Sequence, residues 1–450
     1  MSTFRVVHGM RDMLPEDLEK RRHVVDVIRN MFQVYSYDEV ETPVIESFDL
    51  LSAKAGDEIR HRMYVFTDLG GRKVALRPEM TAPVARIVAM HMRTKPKPLR
   101  LGYIANCFRY DNPQMGRYRE FWQAGFELFG SSRPETDVET LTISTDLMER
   151  LGFRNYSFKI GHVGILRGVL SQEGVSEENQ GSVMGLIDKG KHSMALELLM
   201  RLNLSKQGLE AVKKLLQLKG KNINKVLSNG EKVLSNYEAG YKALVNLKDI
   251  LSLLAASEIK VPITVDLGFA RGLEYYTGMI FEVYAPKMNI ALNGGGRYDK
   301  LIELFGGEPT PAVGCAPGID RIVLAMKKKA LFPKKVVEKR ILVVPVNDKL
   351  NAKASAIASQ LRRVDFQVET EVLGKGIKKA LSYANAKDHA FVVIVAPKEL
   401  TEGNVIIRDM RRAVQQEVPM DRVTEVLRKS LATLRKRPLT KNACFLDEAV

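Results

Sequence analysis

"CFRYDNPQMGRYREFWQAGFELFG", residues 107–130, threads three arginines and several polar residues through an otherwise apolar stretch and holds the only tryptophan of the chain. The run DNPQMG is a strong turn signal between two strand-like segments, LGYIANCFRY and REFWQAGFELF, so the stretch predicts a β-hairpin whose loop carries Arg117 and Arg119. Strand alternation puts Trp122, Ala124, Phe126 and Leu128 on one face, expected to be entirely core, and Phe121, Gln123, Gly125 and Glu127 on the other. An aromatic ring, an amide, a glycine and a carboxylate in a row suit a ligand stacked at one end and hydrogen-bonded along a floor where glycine permits close approach. A solvated sheet face accounts for Gln123 and Glu127 as well, but less readily for an exposed Phe121 or for Gly125. Several guanidiniums around a stacking ring describe a nucleotide site.

Upstream of the hairpin, LPEDLEKRRHVVDVIRNMFQVYSY spaces Val24, Val27, Ile28 and Phe32 as a helix that runs into the extended DEVETPVIES. APVARIVAMHM and, downstream, ETDVETLTISTDLMERLG read as further helices. Residues 165–258 are helix-rich with no good strand run and read as an inserted helical domain between 1–164 and 259–330. At VPITVDLGFARGLEYYTGMIFEVY strand-forming residues return, and the glycine-rich turns LNGGGRYD and AVGCAPGIDRIVLAM follow. From ILVVPV onward, strands and helices alternate. This pattern implies a separate C-terminal α/β domain over 338–437 with helices on both faces of its sheet. The class is α+β.

The chain has 450 residues, enough for several domains, with hydrophobic and charged contents of 45% and 27% that are ordinary for a globular protein. No run of about 20 apolar residues is present, and the N-terminus lacks signal or transit features, so a soluble cytoplasmic protein is expected. Cys107, Cys315 and Cys444 lie far apart without CxxC pairing, which argues against disulfides and a zinc site. The net charge of +16 favours polyanionic partners, and residues 334–441, with 23 basic and 12 acidic residues, carry +11 of it. Nucleic acid is the sharper explanation of that concentration; a solubilising surface is the plainer one.

FRYDNPQMGRYREFWQAGFELFG resembles the second signature motif of class II aminoacyl-tRNA synthetases, and AVGCAPGIDRI resembles the third. LRPEMTAPVAR, ARGLEYYTGMIFEVY and LNGGGRYD together resemble the histidyl-tRNA synthetase family, and the likeness runs from GMRDMLPED to the C-terminal segment 376–410, which is similar to that family's anticodon-binding domain. The resemblance implies a class II catalytic domain built on an antiparallel sheet with helices. It also implies activation of L-histidine by ATP, with Mg2+ on the phosphates, followed by transfer to the terminal adenosine of tRNA(His). It further implies a homodimer formed through residues 16–46, with no membrane partner and no resident metal.

By the same resemblance, Arg109 would hold the α-phosphate, Phe121 and Arg321 would sandwich the adenine, and Asp111 and Arg117 belong to the ATP subsite. Arg271 would bridge the substrate carboxylate and the α-phosphate. Glu127 and Tyr276 correspond to the readers of the imidazole, and Glu79, Thr81 and Gln123 to the ligands of the α-ammonium, with Tyr275 and the backbone at Met80 lining the pocket. A carboxylate and a tyrosine hydroxyl can meet the two ring nitrogens, and such a site rejects apolar isosteres by about 10⁴ to 10⁵ without editing. On a regular strand only one of Tyr275 and Tyr276 could face the pocket. NGGGRY, residues 293–298, lacks phosphate-loop spacing, so its glycines read as room for the substrate. Asp111, where many family members have glutamate, and Pro317 depart from the pattern. Two other function classes compete: the non-catalytic relative that serves as a regulatory subunit of ATP phosphoribosyltransferase, and a nucleic-acid-binding module with an inactive synthetase-like domain. Retention of Arg109, Arg271 and Arg321 weighs against both.

Overall fold

In the computed structural model of the chain, which describes residues 4–257, 259–333 and 340–434, the strands Leu99–Phe108 and Glu120–Phe129 pair antiparallel along their whole length. Gly116, at φ +80°, takes the left-handed conformation that the connecting turn requires. The chain divides into two units, Met1–Phe332 and Pro333–Val450.

In the first unit the hairpin belongs to a nine-stranded sheet ordered 38–39, 99–108, 120–129, 312–315, 293–297, 279–284, 157–162, 263–266 and 219–220. The six strands from 99–108 to 157–162 are antiparallel throughout. Around this antiparallel centre, which the resemblance implies, parallel pairing of 38–39 with 99–108 and of 263–266 with 157–162 makes the whole sheet mixed. The helix Pro15–Val34 starts on a proline with Glu16 and Asp17 in its first turn, both favourable at a helix N-terminus, and buries Val24, Ile28, Met31 and Phe32. Phe126 meets Phe32 edge-on at 4.8 Å and Tyr37 at 5.3 Å, so the face bearing Ala124, Phe126 and Leu128 is core. Trp122 departs from the expectation for that face. It is only partly buried, and the Arg21 guanidinium covers its ring at 4.5 Å.

Between 157–162 and 263–266 the chain makes an excursion of helices from Val163–Gln172 to Glu238–Ala256, interrupted by the two-residue strand Lys219–Gly220, which the sequence pattern does not announce. A separate three-stranded sheet of Ile45–Ser47, Lys73–Leu76 and Val65–Thr67 leaves Val44, Ile45, Val65 and Phe66 exposed.

The second unit holds a five-stranded sheet ordered 368–370, 341–345, 391–395, 404–409 and 414–419. Its central strands are buried on both sides, which is why they read as continuous apolar runs. Ile341, Val343, Val393 and Val395 pack on Asn351–Arg363 and Val423–Leu434, whereas Leu342, Val344, Val392 and Ile394 pack on Ala380 and Ala384 of Ile377–Ala386. Strand Val414–Pro419 is mostly exposed and carries no alternating apolar pattern, so only the structure shows it. Cys444 lies outside the described residues. Among those residues no helix is long and apolar enough to cross a membrane.

Candidate active site

A cavity of about 250 Å³ opens in the first unit over the hairpin face that carries Phe121, Gln123 and Glu127. Every residue that the family resemblance assigns to a substrate lines it except Met80, whose side chain is in the core beside the Thr42 hydroxyl; Gly125 and Arg119 do not reach it.

One end of the cavity is built on carboxylates. Glu79 accepts hydrogen bonds from the backbone N–H groups of Thr81 (2.6 Å) and Ala82 (3.0 Å), and so closes the first turn of the helix Thr81–His91 while its carboxylate faces the cavity. Burial raises the Glu79 pKa, against the pull of those N–H groups and of Arg109. Glu127, on the neighbouring strand, accepts from the Thr81 hydroxyl at 2.9 Å and from the Tyr298 hydroxyl. Burial pushes its carboxyl up to about 8, opposed by those two hydroxyls and reinforced by Glu79. Gly314 stands where any Cβ would collide with the Glu127 carboxylate. Gln123 accepts from the Cys107 thiol at 3.6 Å, and Cys107 is itself pushed up to about 12 by burial.

Tyr275 and Tyr276 both line this end, their ring centroids 4.9 Å apart. The alternation rule that would admit only one of them does not apply, because residues 271–278 form an irregular segment and the strand begins at Met279. Gly125 has another purpose than ligand approach. A Cβ there would collide with the fully buried ring of Tyr103, its partner across the hairpin. The glycines of NGGGRY serve the protein's own atoms too. Gly294 makes room for the Arg271 guanidinium, Gly295 for the Gly314 carbonyl and Gly296 for the Met279 carbonyl, although Gly294 and Gly295 also floor the cavity.

The other end is cationic. Arg109 donates to the Pro78 carbonyl (2.7 Å) and lies 5.2 Å over the Phe121 ring. Arg321 donates to the Ala291 carbonyl (3.0 Å), and Arg271 to the Phe281 carbonyl (3.0 Å), with Glu282 at 3.6 Å. Burial lowers the pKa of Arg321, and the charges of Arg109, Arg117 and Arg271 lower it further. Four guanidiniums within mutual electrostatic reach form a site that a polyanion would relieve. Asp111 is buried and ion-paired to Arg117 (2.7 Å) and Arg62 (2.9 Å), so its carboxylate holds the loop arginine in place. Arg119 packs behind the loop, donating to the His8 carbonyl at 3.1 Å. Pro317 disturbs nothing here. Its carbonyl accepts from Ala124 N–H at 3.1 Å, just ahead of the helix Ile319–Lys329.

Two functional contacts escape the sequence reading. Tyr298 holds Glu127 from just beyond the strand 293–297, and its only sequence signal is its place at the end of the NGGGRY run. Asp320 accepts from the Trp122 N–H (2.6 Å) and from Arg11, which ties the residue preceding Arg321 both to the hairpin and to the N-terminal GMRD segment.

The histidyl-tRNA synthetase family model matches residues 9–322, and an anticodon-binding domain model matches 340–430. A histidine–tRNA ligase of Methanocaldococcus jannaschii is 43% identical over 94% of this chain and 99% of its own length, and one of Pyrococcus furiosus is 40% identical over 95% and 99%. Among solved structures, the chain is similar to an ATP phosphoribosyltransferase regulatory subunit/histidyl-tRNA synthetase of Bacillus halodurans, with a TM-score of 0.73 at 26% identity, covering 88% of this chain and 99% of that one. It also shares its fold with the apo histidyl-tRNA synthetase of S. aureus, at a TM-score of 0.68 and 24% identity, covering 94% and 100%.

Proposed function

The chain belongs to the histidyl-tRNA synthetase family, and from that premise we propose that its arginine-lined cavity is where histidine and ATP react. Its activity is the ligation of histidine to tRNA, with ATP as co-substrate and the C-terminal unit as an anticodon-binding domain. The near full-length ligase relatives favour this activity over that of a regulatory subunit.

In the reaction the histidine carboxylate oxygen attacks the α-phosphorus of ATP, the bond to the bridging oxygen breaks, and pyrophosphate leaves. A hydroxyl of the terminal adenosine of tRNA then attacks the acyl carbon and AMP departs. The first step needs two anions brought together and the growing charge neutralised, work that positioned guanidiniums do without rearranging. We assign Arg109 to the α-phosphate, Arg271 to the bridge between carboxylate and phosphate, Phe121 and Arg321 to the adenine, and Arg117, held by Asp111, to the outer phosphates. Glu127 and Tyr276 read the imidazole. Glu79, Thr81 and Gln123 hold the ammonium, and Tyr275 and the Met80 backbone shape the wall. Tyr298 joins them by fixing Glu127. Mg2+ enters on the ATP phosphates in this reading, because the carboxylates of the nucleotide end already have cationic partners: Asp111 has Arg62 and Arg117, Glu282 has Arg271, and Glu58 has Arg62 and Lys189.

The observation that carries the proposal is the one cavity in which Arg109, Arg117, Arg271 and Arg321 face the buried carboxyls of Glu79 and Glu127. Its test is ATP–pyrophosphate exchange. The purified chain should exchange label only when histidine is added, and exchange that ignores histidine would sink the proposal.

We further assign residues 1–164 and 259–330 to the catalytic domain, 165–258 to its insertion and 338–437 to the anticodon-binding domain, in a cytoplasmic homodimer. The exposed Val44 and Ile45, within the 16–46 segment, and Val65 and Phe66, on the same three-stranded sheet, support a subunit interface on that side. Sedimentation at micromolar concentration should give twice the chain mass, and a monomer would contradict the assignment.

A further inference from the structure

The helix Glu177–Asp188 of the helical excursion ends on an acidic residue with no basic residue in its last turn, an arrangement that the helix dipole disfavours. The end of this helix lies at the mouth of the cavity. Asp188 stands at its exposed rim, beside Arg271 and Gly272. Its Oδ2 lies so near the Gly272 backbone that a Cβ on that glycine would be only 3.0 Å away. The protein packed around the Asp188 carboxyl raises its pKa, while the Arg271 charge and the nearby Gly272 backbone pull it down. Burial works against the charged form of Arg271, and Tyr276, Glu282, Tyr275 and Asp188 together outweigh it.

The same excursion grips the irregular 271–278 segment elsewhere. Arg167, on the helix Val163–Gln172, donates to the Glu274 carbonyl at 3.2 Å, and Gly181 leaves room for the Glu274 carboxyl, 3.3 Å from where a Cβ would stand. Lys189, next to Asp188, reaches Glu58 at 3.3 Å; Glu58 pairs with Arg62 at 2.6 Å, and Arg62 with the Asp111 that holds Arg117. Two adjacent residues at one helix end therefore touch both sides of the nucleotide end of the cavity.

We propose that Asp188 is a positioning residue for Arg271, through which the helical excursion holds the catalytic arginine's segment in the geometry that adenylate formation needs. The inference rests on the proposed role of Arg271. A segment with no ladder of its own depends on such outside contacts for its shape, and a displacement of about 1 Å at a reacting group can cost up to about 10²-fold in rate. Because Arg271 acts on charge that develops in the transition state, loosening it should lower kcat more than it weakens either substrate.

The test is a double-mutant cycle on histidine-dependent pyrophosphate exchange by the full chain, using the parent, Asp188→Ala, Arg271→Ala and the double variant. We expect Asp188→Ala to lower kcat by about 10-fold or more, with KM for histidine and ATP within about twofold, and to cause no further loss in the Arg271→Ala background. A merely structural role would not move in this way: an equal loss in both backgrounds overturns the proposal, as does an unchanged kcat or a loss confined to KM. Asp188→Asn, which keeps an oxygen toward the Gly272 backbone, replaces the alanine variant if that one does not fold, and the same non-additivity is required of it. Parent-like exchange by Arg271→Ala would instead remove the reading of the cavity itself, whereas collapse of Arg271→Ala beside an unaltered Asp188→Ala removes only this inference.

Discussion

At the end of the cavity assigned to histidine, burial depresses the acidity of Glu79 and Glu127 against the opposing pull of the backbone N–H groups and hydroxyls that bond them; at the end assigned to the nucleotide, Arg109, Arg117, Arg271 and Arg321 crowd together and carry excess positive charge. The first end is satisfied by neutral donors and, under the proposed assignment, selects by shape and hydrogen bonding. The second is held by protein carbonyls and a few carboxylates and, under the same assignment, neutralises the phosphates. A site divided in this way separates recognition from rate: changes among the carboxylates should fall on histidine affinity, and changes among the guanidiniums on the chemical step.

The largest expected effect is at the cationic end. Arg271→Ala should lower kcat for histidine-dependent exchange by about 10² to 10³, the cost typical of losing one preorganised partner of transition-state charge, with a smaller change in the KM for ATP. A loss seen only in KM would break the comparison. Glu127→Gln comes next. It keeps the shape but replaces the acceptor for an imidazole N–H with a group that donates on one side, so KM for histidine should rise by about 10- to 100-fold while KM for ATP stays within twofold.

The acidity of Glu127 gives a third measurement. Its pKa in the folded, empty site is raised from 4.5 to about 8, so between those values the folded state holds a proton that the unfolded chain has released. Stability contributed by this group is therefore greatest at low pH and falls as pH rises toward 8, with a slope of at most ~1.4 kcal/mol per unit. Between pH 5.5 and 7.5 the denaturant midpoint of the parent should fall relative to that of Glu127→Gln; a parallel pH dependence would show that Glu127 ionises normally. The smallest effect belongs to Tyr298→Phe. Loss of one hydroxyl from a carboxylate still held by Thr81 should raise KM for histidine about 3- to 10-fold and leave kcat nearly intact, and equal damage to both ends would show that Tyr298 supports the fold at large.

Much of the site was legible because strand alternation is a local rule: once the hairpin was read, Phe121, Gln123 and Glu127 had to share a face, and the structure places all three in one cavity. The same rule misassigned Gly125, since its need for a missing side chain comes from Tyr103 on the partner strand, and cross-strand register is not written in either strand alone. It failed for Tyr275 and Tyr276 because their segment is not a strand. Tyr298 and Arg11 sit in quoted runs, NGGGRY and GMRD, but their partners Glu127 and Asp320 are remote in sequence, and nothing in the neighbourhood of Asp188 marks where it arrives. In the fold, the apolar runs 341–345 and 391–395 disclosed a sheet buried on both faces, whereas 414–419 at its edge, mostly exposed, left no pattern to read.

The division of labour between the two ends is tested most directly by titrating histidine and ATP separately, by calorimetry, into Arg271→Ala and Glu127→Gln, and measuring exchange kcat on the same preparations. The result predicted is a crossing pattern. Glu127→Gln should lose histidine affinity by about 10-fold or more and keep ATP affinity, while Arg271→Ala should keep both within about threefold and lose kcat by about 10² or more. Loss of the same quantity in both variants would contradict it.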